Sequence, residues 1–326
     1  MPESIAAVVV TYNRKLLLGE CLDALMKQTR PLDAIYVIDN ASTDGTQEFL
    51  SQRGFLGECK IRYVRLPENT GGAGGFHAGL RCAFEAGFDW FWLMDDDVEP
   101  YLDGLEQLYR FSTESHCIHG RKTGPDGRPV AWGEWFDSRA IATRPIKDPD
   151  FIIHPRCQEV NVGCFEGMLL ARDVVAKIGY PCSELFIMWD DTLYGFLASQ
   201  VTKVFYANVL ALKRKRTMDT VSGGFLGERV TLAPLAAYYY QRNRFLIARK
   251  LHSLGPAFFL STVNYGFRAL AKDLFLTRDL ARVSASARGL IDGVRKLGRK
   301  GSRYPLDESR LQENHQADVL DHRTKP

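Results

Sequence analysis

An α/β protein with a mostly parallel sheet flanked by helices is what this sequence predicts, and three observations carry the prediction. Short apolar runs alternate with helical stretches of roughly ten to fifteen residues, the pattern of right-handed βαβ units. The runs read as buried strands. Each ends in polar groups, Thr11-Tyr12-Asn13, Asp39-Asn40, Asn69 with its glycines, then Asp95-Asp96-Asp97, so four strand ends meet chemically on one edge. In such sheets ligands bind beyond the carboxyl ends of the strands.

IAAVVVTY (5–12) is the first strand, and Leu17, Leu18, Cys21, Leu22 and Leu25 have helical spacing within about residues 15–28. AIYVIDN (34–40) is the second strand. STDGTQEFLSQ then opens as a helix that Ser42 or Thr43 can cap. IRYVRLP is a third strand, NTGGAGGF leads into a helix through Gly87, and DWFWLMD is a fourth strand. Residues 116–155 are loop-rich, with GRKTGPDGRPVAWGEWF expected as a hairpin or flap. VNVGCFEGMLLARDVVAKIG returns to strand and helix, and ELFIMWDDTLYGFLASQ reads as a short strand or turn entering a helix. After VTKVFYANVLALKRKRT come the helical YYYQRNRFLIARKLH and a basic, mostly helical segment to about Arg303. The expected organisation is an α/β domain over 1–230, a helical basic region over 231–303 and a polar, disordered tail over 304–326.

Composition narrows the class. With 326 residues, 45% hydrophobic and 25% charged, the chain reads as a soluble globular protein. Its seven cysteines are scattered and never spaced as CxxC, which disfavours a disulfide framework or a zinc site. Neither a basic-then-apolar leader nor a run of about 18 apolar residues is present, so a cytoplasmic location is expected. The net charge of +3 hides an asymmetry: 14 Lys/Arg stand against 3 Asp/Glu between Arg242 and Arg303. Such a segment suits phosphate-rich or anionic-membrane partners, or a solvated face on amphipathic helices. No nucleic-acid partner is expected.

Five motifs stand in a fixed order: VVVTYNR, VIDNASTDGT, ENTGGAGGF, LMDDDV and WDDTLYG. Together they resemble the inverting family 2 glycosyltransferases of the Rossmann-like GT-A fold. NTGGAGGF with the triple aspartate is similar to galactofuranosyl- and rhamnosyltransferases that elongate lipid-linked bacterial glycans. The resemblance covers residues 5–110 and 160–200, and beyond them only general character. It implies a nucleotide-sugar donor, UDP-galactofuranose or dTDP-rhamnose, and an acceptor on a glycan or polyprenyl diphosphate.

Each motif has a physical task in that reading. Asp39 is assigned by the resemblance to the imide N–H of the base, with Thr11 and Asn13 lining base and ribose; alternatively Asp39 begins an Asx-turn. Asn69 and glycines 71, 72, 74 and 75 (Gly71, Gly72, Gly74, Gly75) let backbone approach the donor. A dinucleotide-binding turn competes there, but its third small position would fall at His77. Asp95 and Asp97 can point the same way and suit Mg²⁺ or Mn²⁺ bridging a diphosphate; the resemblance puts Asp96 on the ribose or donor sugar. Asp191 is the expected general base, with Asp190 holding the acceptor hydroxyl, Trp189 stacking on an acceptor sugar and Glu166 as a further acceptor contact. Asp190 and Asp191 would also be stabilised by a helix N-terminus without any catalytic role.

One departure stands out. Related galactofuranosyltransferases place a metal-binding histidine about twenty-five residues after the base, where this chain reads LALKRKRTMD. Lys213, Arg214, Lys215 or Arg216 can supply that charge instead, or a water can complete the ion. The helices after Tyr238-Tyr239-Tyr240, with Phe258, Phe259, Leu260, Phe267, Leu270, Leu274 and Phe275, look amphipathic, as a surface for the cytoplasmic face of the inner membrane or for a homo-oligomer. Two other classes remain: a nucleotidyltransferase, for which TYNRKLLLGE lacks the glycine cluster, and a non-enzymatic sugar-binding module.

Overall fold

The computed structural model describes residues 3–130, 133–148, 150–217, 220–222, 228–230, 232–276 and 278–298. Four strands and three helices alternate first: β1 (Ile5–Thr11), α1 (Lys15–Leu25), β2 (Ala34–Asp39), α2 (Thr46–Gln52), β3 (Ile61–Arg65), α3 (Gly71–Glu85) and β4 (Trp90–Asp95). Then come β5 (Val98–Pro100), α4 (Gly104–Tyr109), β6 (Cys117–Thr123), β7 (Pro129–Val130), β8 (Glu134–Asp137), β9 (Ala142–Pro145) and β10 (Cys157–Val160). The chain continues through β11 (Met168–Ala171), α5 (Arg172–Ile178), α6 (Asp190–Ser199), β12 (Val204–Arg214), α7 (Pro234–Lys250), α8 (Pro256–Ala271) and α9 (Leu280–Leu297).

The main sheet runs in the order β10-β12-β6-β11-β4-β1-β2-β3. Pairs among β1, β2, β3 and β4 are parallel, as is β6 with β12, whereas β11 runs antiparallel between β4 and β6. This is the expected mixed, mostly parallel α/β sheet. Every residue of β1 is buried, and its side chains alternate between two cores. Ile5, Ala7 and Val9 enter the one under α1, α2 and α4; Ala6, Val8 and Val10 enter the one under α3, α5 and α6. A strand covered on both faces has no use for polar alternation, which is why these runs are apolar throughout.

Register is what makes the edge functional. Thr11 pairs with Asp39, Asp39 with Arg65, and Val10 with Asp95, so the strands end level. Because β11 pairs back along β4 from Met168 opposite Leu93, the Cys164–Gly167 loop rises at that same edge. A third core joins α6 to α7 through Trp189, Leu193, Phe196, Leu197, Phe245, Leu246 and Phe258.

Two expectations are adjusted and one is decided. The first helix stops at Leu25 instead of near residue 28. Of the short strand or turn expected at ELFIM, the structure takes the turn, a single 3₁₀ turn at Ser183–Leu185. The flap is two hairpins, β6–β7 and β8–β9. The expected tail, 304–326, lies outside the described residues. Among the described residues no helix is long and apolar enough to cross a membrane.

Helix α6 crosses the Val162–Gly163 backbone so closely that a Cβ on Gly195 would lie 1.7 Å from the Gly163 nitrogen. Only the backbone could yield, which is far costlier than moving a side chain. Gly195→Ala is expected to cost at least about 3 kcal/mol in urea unfolding, whereas Gly57→Ala, with nothing within 4 Å, should change stability by less than about 1 kcal/mol.

Candidate active site

The triple aspartate divides its work. Asp96 is 1% exposed and turns inward, accepting from Thr11 Oγ1 at 2.6 Å and from Arg14 Nη1 at 2.8 Å. Burial pushes its carboxyl up to about 6, against the pull of Arg14 and Thr11. Asp97 accepts from the same Arg14 nitrogen at 2.9 Å. Arg14 thus staples the turn after β4 to the loop after β1. Asp95 is different: no hydrogen-bond donor among the described residues meets its carboxylate. Burial, and then Asp97, Glu166 and Asp96, hold its carboxyl well above the ordinary range. Like charges at close range favour the neutral form until a cation arrives.

Glu166 and Arg214 complete the rim. Lys122, buried, donates to Glu166 Oε2 at 2.8 Å and to Cys164 Sγ at 2.9 Å. Arg214 Nη2 donates to Glu166 Oε1 at 2.7 Å. Burial alone would raise the Glu166 carboxyl, but Lys122 and Arg214 hold it below its usual range. Asp97, Arg214, Arg216 and Thr217 line a cavity of about 180 Å³.

On the other side, the start of α3 is built into the cleft wall. Asn40 donates to the Gly71 carbonyl at 2.9 Å and accepts from Thr70, while Asn69 accepts from the Gly71 N–H at 2.9 Å. Gly71 has φ 72°, and a Cβ there would sit 2.1 Å from the Phe186 carbonyl oxygen. That carbonyl accepts from the Ala73 N–H at 3.0 Å, which docks α3 on the turn leading to Asp190. The turn is strained: Phe186, Met188 and Trp189 have φ of 65°, 70° and 71°. Non-glycine residues in that region cost about 1–3 kcal/mol each and gather where function demands them.

Asp190 and Asp191 begin α6. Asp191 Oδ1 accepts from the Thr192 N–H at 2.7 Å. Burial raises the Asp191 carboxyl; burial and then Asp191 push Asp190 up to about 7. Glu166 raises the proton affinity of both Asp95 and Asp191, and a Cβ on Gly72 would lie 3.8 Å from Asp190, so the triple-aspartate turn, the start of α3 and the Trp-Asp-Asp turn gather at the same edge of the sheet.

Several expected contacts are reassigned. Asp39 is 0% exposed and does begin an Asx-turn: Oδ1 accepts from the Ser42 N–H at 2.7 Å and Oδ2 from the Tyr63 hydroxyl at 2.5 Å. The Thr11 hydroxyl is spent on Asp96. The same inward turn commits both Asp96 oxygens to Thr11 and Arg14. Asn13 stays exposed, its Oδ1 accepting from the Thr43 N–H at 2.7 Å. Gly74 is buried against Thr70 at the start of its own helix, and Gly75 against Val10 and Asn40, where it lets α3 pack on β1. Gly72, partly exposed and 3.8 Å from Asp190 by its absent Cβ, is the glycine left facing the cleft. Trp189 is 5% exposed between Phe136 and Tyr240, a core residue and not a sugar platform. Glu166 is partly exposed, with its two oxygens held by Lys122 and Arg214. Arg14, Lys122 and Glu134 were not anticipated as site residues; the Glu134 carboxyl on β8 is raised by burial and then by Asp191. The only sequence signal was Arg14 next to TYN.

Among the described residues no three His, Cys, Asp or Glu side chains could hold a metal unaided. Asp95, without a donor, and Asp97 still fit Mg²⁺ or Mn²⁺, which commonly take one or two carboxylates and leave the rest to substrate phosphates and water.

Comparison with known proteins agrees with this architecture. The profile of Glycosyl transferase family 2 matches residues 6–179. Galactofuranosyltransferase GlfT1 of Mycolicibacterium smegmatis is 39% identical over 201 residues, 58% of this chain. The chain spans 63% of the length of that curated relative. Among solved structures, S. aureus TarS 1-349 in complex with UDP-GlcNAc superposes with a TM-score of 0.56 at 16% identity, covering 90% of this chain and 81% of that one. GalNAc-T7 with UDP, GalNAc and Mn²⁺ gives 0.57 at 12% identity, covering 85% and 57%. At such identities the likeness establishes the GT-A fold alone.

Because folding raises the proton affinity of Asp190, the stability cost of ionising it is absent below the ordinary carboxylate range, grows as pH rises through it, and is complete above about 7. Asp190→Asn is therefore expected to raise the melting temperature by roughly 2–4 °C at pH 8, a gain that calorimetry should find vanishing towards pH 4.

Proposed function

The chain belongs to glycosyl transferase family 2, and we propose that it transfers galactofuranose from UDP-galactofuranose, with inversion, to a hydroxyl of a lipid-linked or polysaccharide glycan. The observation that supports this reading is the gathering of acids at one edge of the sheet: Asp95, which no side-chain donor meets among the described residues, and the Asp190–Asp191 pair both stand near enough to Glu166 for it to raise Asp95 and Asp191. The GlfT1 relative supports the choice of sugar.

Asp95 and Asp97 would hold Mg²⁺ or Mn²⁺, which when bound supplies counter-charge to the donor's diphosphate. Arg214, fixed by Glu166, adds positive charge on the same side, where the expected histidine is missing. Asp191 takes the proton of the acceptor hydroxyl as its oxygen attacks the anomeric carbon. The bond to the diphosphate breaks on the opposite face, and UDP leaves with the electron pair. Asp190 orients the hydroxyl, and Gly72 leaves room beside it.

The acceptor is proposed to arrive on an anionic leaflet. Phe259, Leu260, Val263 and Phe267 of α8, with Leu274 and Phe275 beyond it, are exposed beside Arg268 and Lys272. An apolar stripe with basic flanks is how a helix lies in a lipid interface.

Incubation with a panel of nucleotide sugars should release nucleotide from UDP-galactofuranose and not from dTDP-rhamnose; release from dTDP-rhamnose alone would replace the donor. Asp191→Asn should lower transfer by at least about 10³-fold with donor binding retained, and chelation should lower transfer to any acceptor. Leu260→Glu with Phe267→Glu should abolish sedimentation with anionic vesicles; unchanged sedimentation would leave this face to a second subunit.

A further inference from the structure

The turn that carries Asp190 and Asp191 is held from behind by α7. Phe186 has φ 65° and ψ −63°, with the Ile187 N–H donating to the Leu185 carbonyl at 2.8 Å, a γ-turn that a bulky residue adopts only under constraint. Every carbonyl from 184 to 188 has a partner. The two N–H bonds of Asn243 Nδ2 are shared among the carbonyls of Leu185 at 2.8 Å, Ile187 at 2.9 Å and Met188 at 2.9 Å, one of them bifurcated. Arg242 Nη2 donates to those of Glu184 at 2.6 Å and Leu185 at 3.2 Å. The Phe186 carbonyl is taken by Ala73 of α3.

The amide cannot be reversed. Arg242 donates to Asn243 Oδ1 from Nε at 2.9 Å and Nη2 at 2.7 Å, and a guanidinium has nothing to accept with. Asn243 is 0% exposed, which makes an amide with every hydrogen bond made a rigid fixture. Tyr239 stacks on the Phe186 ring at 4.8 Å and 13°, and Trp189 Nε1 donates to the Tyr240 carbonyl at 3.2 Å.

We propose that Asn243, oriented by Arg242, is a positioning residue for the reaction: it holds the strained 185–188 backbone so that the Asp190 and Asp191 carboxylates face the donor wall. This rests on the reading of Asp191 as base. Without the amide the turn relaxes away from positive φ and the carboxylates swing, while β1 and β4, which carry the triple aspartate and its partners, make no hydrogen bond to the turn among the described residues. The signature is a loss in kcat at constant donor KM.

Asn243→Ala and Arg242→Met are compared with Leu25→Ala, which opens the core under α1 on the other face of the sheet, and with Asp191→Asn. The expected result is a kcat lowered about 10- to 100-fold in both clamp variants, with donor KM within about 2-fold of the parent, and a near-parental kcat in Leu25→Ala at comparable loss of melting temperature. If the clamp variants match Leu25→Ala in kcat, the inference fails. If Asn243→Ala is insoluble, Arg242→Met alone decides by the same split. If Asp191→Asn keeps its turnover, it is the base assignment that fails, and the clamp goes with it.

Discussion

Carboxylates crowd the open edge of this sheet, and much of the surrounding structure follows from the electrostatic cost of keeping them there. Two solutions stand side by side. Asp96 is neutralised from within, by Arg14 and the Thr11 hydroxyl, and becomes part of the scaffold. Glu166 is treated likewise, between Lys122 and Arg214. Asp95, Asp190 and Asp191 are left with raised proton affinities and little compensation. Buried acids stay uncompensated mainly where a ligand is to supply the missing charge or proton.

A second constraint is mechanical. The paired acids of α6 are delivered by a backbone that three non-glycine residues hold at positive φ. That conformation persists because α3 grips it from the front, through Gly71 and Ala73, and α7 from behind, through Asn243 and Arg242. The C-terminal helices are thereby joined to the chemistry and not only to the surface. Helix α7 shares a core with Trp189 and Leu193, and its Phe245 packs on Phe258 of α8. The exposed apolar face of α8 therefore stands one helix away from the acids.

Much of this was legible in the sequence because it is local. Buried strands announce themselves as apolar runs, and a parallel sheet with level register turns their polar ends into a common edge. Family motifs added the donor class and the acids to watch. What was not legible was which way each side chain turns. Asp96 and Asp95 are neighbours in LMDDDV, yet one is sealed and the other open; Trp189 turns into the third core, and Glu166 is held between Lys122 and Arg214. Arg14 closes the VVVTYNR motif with no partner indicated, and Asn243, in a stretch that resembles an acceptor-side helix of the family, gives no sign in the sequence of the turn it holds.

The sequence by itself determined the strands, the helices, their order and hence the edge where chemistry collects, since periodicity and burial are properties of short segments. Tertiary structure alone decided which carboxylates are satisfied and which remain available. That depends on distances between residues about eighty positions apart, such as Arg14 and Asp97 or Thr11 and Asp96, and a hydrogen bond closes or fails within tenths of an ångström.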